Sequence, residues 1–327
     1  MLKDSRRSRR NMQNLKIVFM GTPEFAACSL RALIDAGYEI PLVITQPDRK
    51  GNRNKMILSP VKLLALDCGI ETAQPIRLRK DKELIEKLRS IKPDMIVVAA
   101  FGQILPRSVL EIPELGCINV HGSLLPDLRG ASPMQGAILK GLEESGVTIM
   151  RMEEGLDTGD MISRVICDIR GKDILEVSKI LADAGAELLI RTIPHIADGT
   201  AVYEKQDDSL SSYAKMINKK DGMTDFTGSA EEIERMIRAY LDWPTCYSYL
   251  DGLQIKFFRA EALMDQKPDG EPGTVSETGK DFYTINCGEG KLKVFEQQLQ
   301  GKKRMGAGDF MRGHRLSKGD RFTASEQ

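Results

Sequence analysis

The first 200 residues alternate between short apolar runs and segments with helical periodicity. A run that begins at Leu15 ends at Gly21, and IPLVITQPD ends at Pro47, so both predict short strands. PEFAACSLRALIDAG, SPVKLLALDCG and DKELIEKLRSIKPD carry apolar residues at helical spacing. DMIVVAAFG is apolar throughout, which is typical of a strand buried on both faces. The alternation predicts a doubly wound, Rossmann-like α/β domain that binds ligands at the carboxyl ends of its strands.

The pattern changes after a long amphipathic segment, ILEVSKILADAGAELLIRTIPHI. From about Asp198 the chain is polar with weak periodicity, which we interpret as a linker. Ser229 and Glu232 form a capping box that predicts a helix through Tyr240. Beyond Trp243, short strand-like segments alternate with glycine-containing turns, the spacing of a small OB-like β-barrel. We expect a disordered extension at 1–14, an α/β domain at 15–200, a linker at 201–222 and a barrel domain at 223–327.

Composition narrows the class of protein. The 327 residues include 47 Lys plus Arg and 47 Asp plus Glu, and 41% are hydrophobic, an ordinary globular balance. The longest apolar stretch, Met95 to Leu105, is well short of the roughly 20 residues of a membrane helix. The six cysteines are far apart with no CxxC, which fits neither a zinc site nor a secreted disulfide framework. We therefore expect a cytoplasmic protein without a membrane span, a disulfide or a bound metal.

The basic residues are concentrated in three runs. They lie in the N-terminal arm, between Arg49 and Lys62, and from Lys302 to Arg321. Any single run is more often a solvated surface, but three runs together favour an anionic partner.

The first strand–helix turn reads Gly21-Thr22-Pro23-Glu24-Phe25. It lacks the second glycine that lets a backbone approach a pyrophosphate, which disfavours a dinucleotide-dependent dehydrogenase.

The strongest chemical signal is the segment CINVHGSLLP. Asn119 and His121 are two residues apart, so on an extended chain their side chains point to the same side and can act on one group. Downstream, GLDTGD offers the carboxylate of Asp157 in a glycine-flanked loop. From these residues alone, a satisfied histidine at a strand end and a simple Asx turn remain the competing interpretations.

INVHGSLLPDLRG followed by GLDTGD resembles the 10-formyltetrahydrofolate-dependent formyltransferases, and the resemblance extends over most of the chain. Within that family the chain is most similar to the branch that acts on charged initiator tRNA in translation initiation. The supporting segments are KIVFMGTPEFA, TQPDR, AAFGQILP, WPTCYSYLDG and KKRMGAGDFMRGHRL.

The resemblance implies a catalytic trio of Asn119, His121 and Asp157 that transfers a formyl group to an amine. Asn119 and His121 would stabilise negative charge on the formyl oxygen, and Asp157 would orient His121 and assist proton transfer. This chemistry needs neither a metal nor a covalent enzyme intermediate.

The resemblance also implies two binding regions. The folate co-substrate would contact two apolar loops at strand ends; the residues are Phe101, Gly102, Ile104, Ser123, Leu124, Leu125 and Pro126. The tRNA would contact basic residues of the loop and of the barrel domain; these are Arg49, Arg53, Lys55, Lys302, Lys303 and Arg304. Leu124 and Leu125 could instead be core residues. We expect a monomer.

Two other functions remain open at this stage. One is a folate-dependent formyltransferase that acts on an amino-sugar nucleotide, because such enzymes share the folate machinery. The other is a non-catalytic RNA- or nucleotide-binding α/β protein in which the trio is incidental.

Overall fold

The structure is a computed structural model that describes residues 15–50 and 56–325; of residues 49 and 50 it describes the backbone alone. The extension predicted at residues 1–14 lies outside the described residues. Contacts divide the chain into two compact units. The first contains the chain up to Pro133, Glu144–Asp168 and Ser178–Ala214, and the second contains Met134–Glu143, Ile169–Val177 and Lys215–Gln327.

The first unit is built on a mixed sheet. The strands of the unit are β1 (Ile17–Gly21), β2 (Val43–Ile44), β3 (Arg49–Lys50), β4 (Met56–Ile57), β5 (Thr72–Ala73), β6 (Met95–Ala99), β7 (Cys117–His121), β8 (Arg129–Gly130), β9 (Glu144–Arg151), β10 (Met161–Asp168) and β11 (Tyr213–Ala214). Seven of these strands form that sheet, while β3 with β4 and β8 with β11 form two small sheets of their own. The helices that precede the barrel are α1 (Glu24–Asp35), α2 (Pro60–Asp67), α3 (Lys82–Ile91), α4 (Arg107–Leu110), α5 (Pro133–Leu139) and α6 (Ile174–Asp198). The central strands β1, β6 and β7 are fully buried, as the unbroken apolar sequences of β1 and β6 predict; β7 is buried although it contains Asn119 and His121.

The strand order explains where a ligand can bind. The seven-stranded sheet runs β10-β9-β7-β6-β1-β2-β5. Neighbouring strands from β7 to β5 in this order pair in parallel, while β9 pairs antiparallel with both β7 and β10. From β1 the chain moves outward to β2 and β5 and then returns to β6 on the other side of β1. The order therefore reverses between β1 and β6, and the carboxyl ends at Gly21, Ala99 and His121 lie on one sheet edge. The predicted doubly wound α/β fold is confirmed.

The second unit contains an antiparallel sheet. Its elements are α7 (Ala230–Ala239), β12 (Cys246–Leu250), β13 (Leu253–Leu263), β14 (Val275–Thr278), β15 (Tyr283–Asn286), β16 (Lys291–Leu299), β17 (Met305–Gly306) and α8 (Ala307–Gly313). The sheet order is β12-β13-β16-β15-β14, and β17 pairs with β16. The capping box of Ser229 and Glu232 starts α7 as predicted, because each side chain accepts a hydrogen bond from the other residue's backbone.

The last residues connect the two edges of this sheet. Thr323 forms a bridge with Tyr249 on the edge strand β12, while Arg321 forms one with Thr274 next to β14. The backbone N–H of Phe322 also donates to the carbonyl of Gly273. Because one terminal segment pairs at both edges, the sheet is closed into a barrel and its edge strands are covered.

The segment predicted as a linker, 201–222, is divided between the units. Residues 201–214 belong to the first, where β11 pairs in parallel with β8, and residues 215–222 belong to the second. Among the described residues, no helix is both long and apolar enough to span a membrane.

Asp269 joins three parts of the barrel through its carboxylate. Oδ2 accepts a hydrogen bond from Lys318 Nζ at 2.8 Å, and Oδ1 accepts one from Ser276 Oγ at 2.6 Å and lies 3.3 Å from Lys291 Nζ. The hydrogen bond from Lys318 is the largest cause that lowers the pKa of Asp269 below its ordinary value. A carboxylate with a lowered pKa stabilises the fold above its unfolded-state pKa, and this stabilisation is lost as the pH falls.

We predict that Asp269→Asn lowers the melting temperature at pH 7 by about 2 to 4 °C, because the ion pairs to both lysines are lost. The difference from wild type should shrink as the pH falls below about 4, where the unfolded-state carboxyl protonates. Differential scanning calorimetry at pH 7 and at about pH 2.5, well below the unfolded-state pKa, measures both effects. Asp265→Asn, an exposed residue in the same connection, is the control. An equal loss of stability at the two pH values would contradict the electrostatic role.

Candidate active site

Strand β7 places Asn119 and His121 at the carboxyl edge of the sheet. Asn119 pairs with Val98 of β6 on one side and Met150 of β9 on the other, and His121 pairs with Thr148 of β9. The two side chains are 9% and 5% exposed. Their two-residue spacing on an extended strand puts them on one side, as predicted. Because the flanking strands fix the backbone of β7, both side chains start from a rigid position.

Asp157 lies in the loop between β9 and β10. Its backbone is left-handed, with φ of 53°, a conformation that aspartate tolerates better than most residues. Gly159 lets the loop fold back on β9, because a Cβ there would lie 1.9 Å from the carbonyl oxygen of Arg151. The glycine-flanked sequence therefore serves to turn the carboxylate of Asp157 toward β7.

The structure brings the three predicted catalytic residues together. Asn119 Nδ2 donates to Asp157 Oδ1 at 3.4 Å, and His121 Nδ1 lies 3.8 Å from Asp157 Oδ2. The Asp157 side chain is 14% exposed and accepts a 2.9 Å hydrogen bond at Oδ2 from the backbone N–H of Gly130. Among the described residues, the long contact with Asp157 is the only hydrogen bond of the Asn119 amide. The amide therefore retains donor capacity for a ligand.

The hydrogen bonds assign the protonated nitrogen of His121. Nε2 is 3.0 Å from the carbonyl oxygen of Leu128, and a carbonyl can only accept, so Nε2 carries a hydrogen. Nδ1 is the nitrogen that faces Asp157. When Nδ1 is also protonated, the ring bears a positive charge beside the carboxylate, and its N–H can donate to a reacting oxygen.

Residues 128–130 make backbone hydrogen bonds to two members of the trio. Leu128 offers its carbonyl to His121, and Gly130 offers its N–H to Asp157. Residues 129 and 130 form β8. The backbone N–H groups of Arg129 and Ala131 donate to the carbonyls of Ser212 and Ala214, next to and within β11, and so fix the position of β8. Gly130 has φ of 107°, and a Cβ there would lie 2.7 Å from the carbonyl oxygen of Ala214. A side chain at this position would separate β8 from β11.

Gln206 and Arg129 are buried polar residues next to the Asp157 loop. The sequence alone did not identify either as part of the site. Gln206 Nε2 donates to the carbonyls of Asp157 and Gly159 at 2.9 and 2.7 Å. Arg129 is 2% exposed and donates through Nε to Gln206 Oε1 at 3.0 Å and through a terminal nitrogen to Asp208 at 2.8 Å. Arg129 lies within the motif segment, but Gln206 lies in the polar stretch interpreted as a linker, so only the fold reveals their contact.

The SLLP segment is mostly buried. Ser123 is fully buried and donates from Oγ to the carbonyl of Asp127 at 2.7 Å. Leu125 is 1% exposed and forms a cluster with Met150 and Met161. Leu124 and Pro126 are half-buried. Leu125 is therefore a core residue in this structure, while Leu124 and Pro126 keep surface available for a ligand.

The loop after β6 presents one large apolar side chain to solvent. Phe101 is 2% exposed and belongs to the core cluster beside the sheet, whereas Ile104 is 74% exposed. Gly102 has φ of 76° and is exposed. Gln46 donates from Nε2 to the carbonyl of Phe101 at 2.9 Å and so ties this loop to the end of β2.

Only part of the predicted basic loop can be described. Arg49 begins β3, which pairs with β4, and Arg53 and Lys55 lie outside the described residues. Lys62 forms an ion pair with Asp48 at 2.5 Å and donates to Gln74 Oε1 at 2.6 Å. The hydrogen bond from Lys62 lowers the pKa of Asp48. Lys62 is thus engaged within the protein.

The basic residues of the barrel unit differ in their surroundings. Lys302 and Lys303 are exposed, and within the described part of the chain neither ammonium group makes a hydrogen bond or ion pair. Arg304 donates to Glu296 at 2.6 Å, and its guanidinium carbon lies 4.5 Å from the ring centre of Phe258. Among the described residues, no group of three or more His, Cys, Asp or Glu side chains is placed to hold a metal ion.

Two family models match the chain. The model described as formyl transferase matches residues 15–193, and the model described as formyl transferase, C-terminal domain, matches residues 216–315.

Individual relatives agree with these matches. The chain is 46% identical over 314 residues to a methionyl-tRNA formyltransferase of Lachnospira eligens, covering 93% of this chain and 98% of the relative. It is 45% identical to a methionyl-tRNA formyltransferase of Citrifermentans bemidjiense, covering 94% of this chain and 96% of the relative. The solved N-formyltransferase of Helicobacter canadensis, in complex with folinic acid and dTDP-3-aminofucose, shares the fold. It has a TM-score of 0.65 at 21% identity, covering 86% of this chain and 98% of that one. The chain belongs to the formyl transferase family.

Proposed function

We propose that the chain transfers a formyl group from 10-formyltetrahydrofolate to the amino group of methionyl-initiator tRNA. The observation that carries the proposal is the cluster of Asn119, His121 and Asp157 at the carboxyl edge of the sheet. The two relatives at 45 and 46% identity, both named methionyl-tRNA formyltransferases, supply the choice of acceptor. A role in cytoplasmic translation initiation follows from that acceptor.

The residues at this edge fit a folate. Its fused ring needs an apolar wall and backbone polar groups, and the exposed Ile104, the half-buried Leu124 and the backbone at Gly102 can supply them. Phe101, Ser123 and Leu125 would act from beneath, because they are buried and set the shape of these loops. When bound, 10-formyltetrahydrofolate supplies the formyl carbon on its N10.

The trio has the groups that amine formylation requires. As the acceptor amine bonds to the formyl carbon, negative charge develops on the formyl oxygen, and the carbonyl forms again when the bond from that carbon to N10 breaks. Asn119 Nδ2 and protonated His121 Nδ1 can donate to that oxygen. Asp157 holds the imidazolium by its charge and can accept a proton from the amine before it passes to the folate nitrogen, so the protons balance.

For the tRNA, we propose contacts with Arg49, Arg53 and Lys55 and with the barrel residues Lys302, Lys303 and Arg304. The exposed ammonium groups of Lys302 and Lys303 are suited to phosphates. We propose a catalytic domain at 15–200 and a tRNA-binding barrel domain at 223–327, acting as a monomer.

A direct assay tests the proposed function against the amino-sugar alternative. The purified chain is incubated with formyl-labelled 10-formyltetrahydrofolate and, in parallel, with methionyl-initiator tRNA, methionyl-elongator tRNA and a panel of dTDP-amino sugars. We expect label on the initiator tRNA, released with formylmethionine after deacylation. Faster labelling of a nucleotide sugar would assign the chain to that acceptor, and no labelling of any acceptor would reject both.

Removal of any one member of the trio should reduce turnover strongly. We predict that Asn119→Ala, His121→Ala and Asp157→Ala each lower kcat by about 100-fold or more, because each loses a positioned donor or a proton carrier. The losses should be less than additive in double variants, since the three act on one transition state. Asp160→Ala, three residues along the same loop, is the control. An active Asp157→Ala variant would rule out the assignment.

Ile104 should contribute to folate binding and not to stability. We predict that Ile104→Gln raises the KM for 10-formyltetrahydrofolate on the order of 10-fold, since burial of an isoleucine contributes about 1.5–3 kcal/mol. The melting temperature and the KM for tRNA should stay at wild-type values. Ile166→Gln, at another exposed isoleucine on β10, controls for the loss of a surface apolar group. If both variants behave alike, Ile104 is not part of the folate site.

The salt dependence of tRNA affinity should show which basic residues of the barrel contact phosphates. Each lost phosphate contact lowers the slope of log affinity against log salt by about 0.7 to 0.9. We predict this decrease for Lys303→Ala and a smaller one for Arg304→Ala, because Arg304 already donates to Glu296. Fluorescence titration of labelled tRNA between 50 and 200 mM salt measures both slopes. If both variants keep the slope of the wild type, this surface does not contact the tRNA.

A further inference from the structure

Arg129 is a charged side chain buried inside the first unit, where it makes a specific set of contacts. Its side chain is 2% exposed, and its Nε donates to Gln206 Oε1 at 3.0 Å. Its terminal nitrogen reaches Asp208, whose side chain is 84% exposed. A buried guanidinium is costly unless its donors are satisfied. The acceptor that Arg129 meets in the interior is the amide oxygen of Gln206.

This contact determines the orientation of the Gln206 amide. A guanidinium can only donate, so the oxygen of Gln206 must face Arg129 and the nitrogen must face the opposite way. That nitrogen has two hydrogens, and it meets two carbonyl oxygens, those of Asp157 and Gly159. Gln206 is 7% exposed, so water does not compete freely for these bonds.

The two carbonyls belong to the loop that carries Asp157, the residue whose position this contact fixes. Asp157 has a left-handed backbone, and its side chain must reach Asn119, His121 and the N–H of Gly130 at once. A non-glycine residue in that conformation persists only where its surroundings hold it. Gln206 restrains the backbone of Asp157 through the hydrogen bond to its carbonyl, while the N–H of Gly130 restrains its carboxylate. Arg129 and Gly130 are neighbours in β8, so one short strand contributes to both restraints.

We propose that Gln206, oriented by Arg129, is a positioning residue that sets the Asp157 carboxylate against His121 and Asn119. The proposal rests on the proposed function for its kinetic consequence, but the restraint itself belongs to the free protein. Gln206 touches no reacting atom; it acts through the backbone of Asp157.

Gln206→Glu tests this directly because the two side chains have nearly the same shape. The introduced carboxylate still accepts from Arg129 but cannot donate to the carbonyls of Asp157 and Gly159, which it repels instead. We expect kcat to fall about 10- to 100-fold, as small misplacements of catalytic groups commonly produce. The KM for folate and for tRNA should change less than about 3-fold, since no binding contact is removed.

Hydrogen exchange provides a readout that does not depend on activity. Backbone amides in the peptide that covers residues 153–160 should exchange faster in Gln206→Glu than in wild type, with the sheet strands unchanged. Asp208→Asn is the matched control, because it weakens the exposed partner of Arg129 and leaves Gln206 in place. It should retain wild-type kcat and wild-type exchange.

The outcomes distinguish this proposal from the proposed function. An inactive wild type with faster loop exchange in Gln206→Glu would reject the proposed function and support the restraint. An active wild type with kcat of Gln206→Glu within twofold and unchanged exchange would overturn the positioning role. If Gln206→Glu does not fold, Gln206→Met, which introduces no buried charge, replaces it. Failure of both variants to fold would make Gln206 a purely structural residue and overturn the proposal.

Discussion

Polar atoms that are withdrawn from water need hydrogen-bond partners in the protein, and the arrangement around the Asp157 side chain follows from this requirement. Its side chain is 14% exposed, and its donors are the N–H of Gly130 and the amide of Asn119, with His121 Nδ1 at 3.8 Å. The Gly130 donor is the shortest of these contacts. The position of β8 therefore decides where the Asp157 side chain lies relative to His121.

Hydrogen bonds, more than apolar packing, join the parts of this site. Strand β7 is rigid because it lies between β6 and β9, but the Asp157 loop and residues 128–130 have left-handed backbone at Leu128, Gly130 and Asp157. Such conformations do not arise from regular secondary structure and must be imposed by specific partners. The partners are carbonyl and N–H groups, so the geometry depends on where donors and acceptors lie. A small change of polarity can then disturb the site without disturbing the core.

The sequence predicts the features that depend on local order. The two-residue spacing in β7 predicts that Asn119 and His121 share a side, and glycines predict the turn at Asp157. The unbroken apolar strands likewise predict a parallel sheet. Gln206 could not be predicted in this way, because its meaning comes from Arg129, which is 77 residues away. Leu125 could not be assigned from the sequence for a related reason. An apolar residue beside a site looks the same in the sequence whether it lines the ligand or packs in the core, and here it packs on Met150 and Met161.

The electrostatic field of a surface is also hard to predict from the sequence, because the sequence does not show which lysines and arginines already pair with carboxylates. Lys62 belongs to a basic run, yet its ammonium group is 2.5 Å from Asp48 and contributes little field to solvent. Lys303 belongs to another run and is exposed, while its neighbour Arg304 is bound to Glu296 and lies over Phe258. A phosphate that approaches Arg304 must compete with a carboxylate, whereas one that approaches Lys303 displaces only water and counterions. The number of unpaired lysines on this surface is therefore a better measure of its positive field than its total of basic residues.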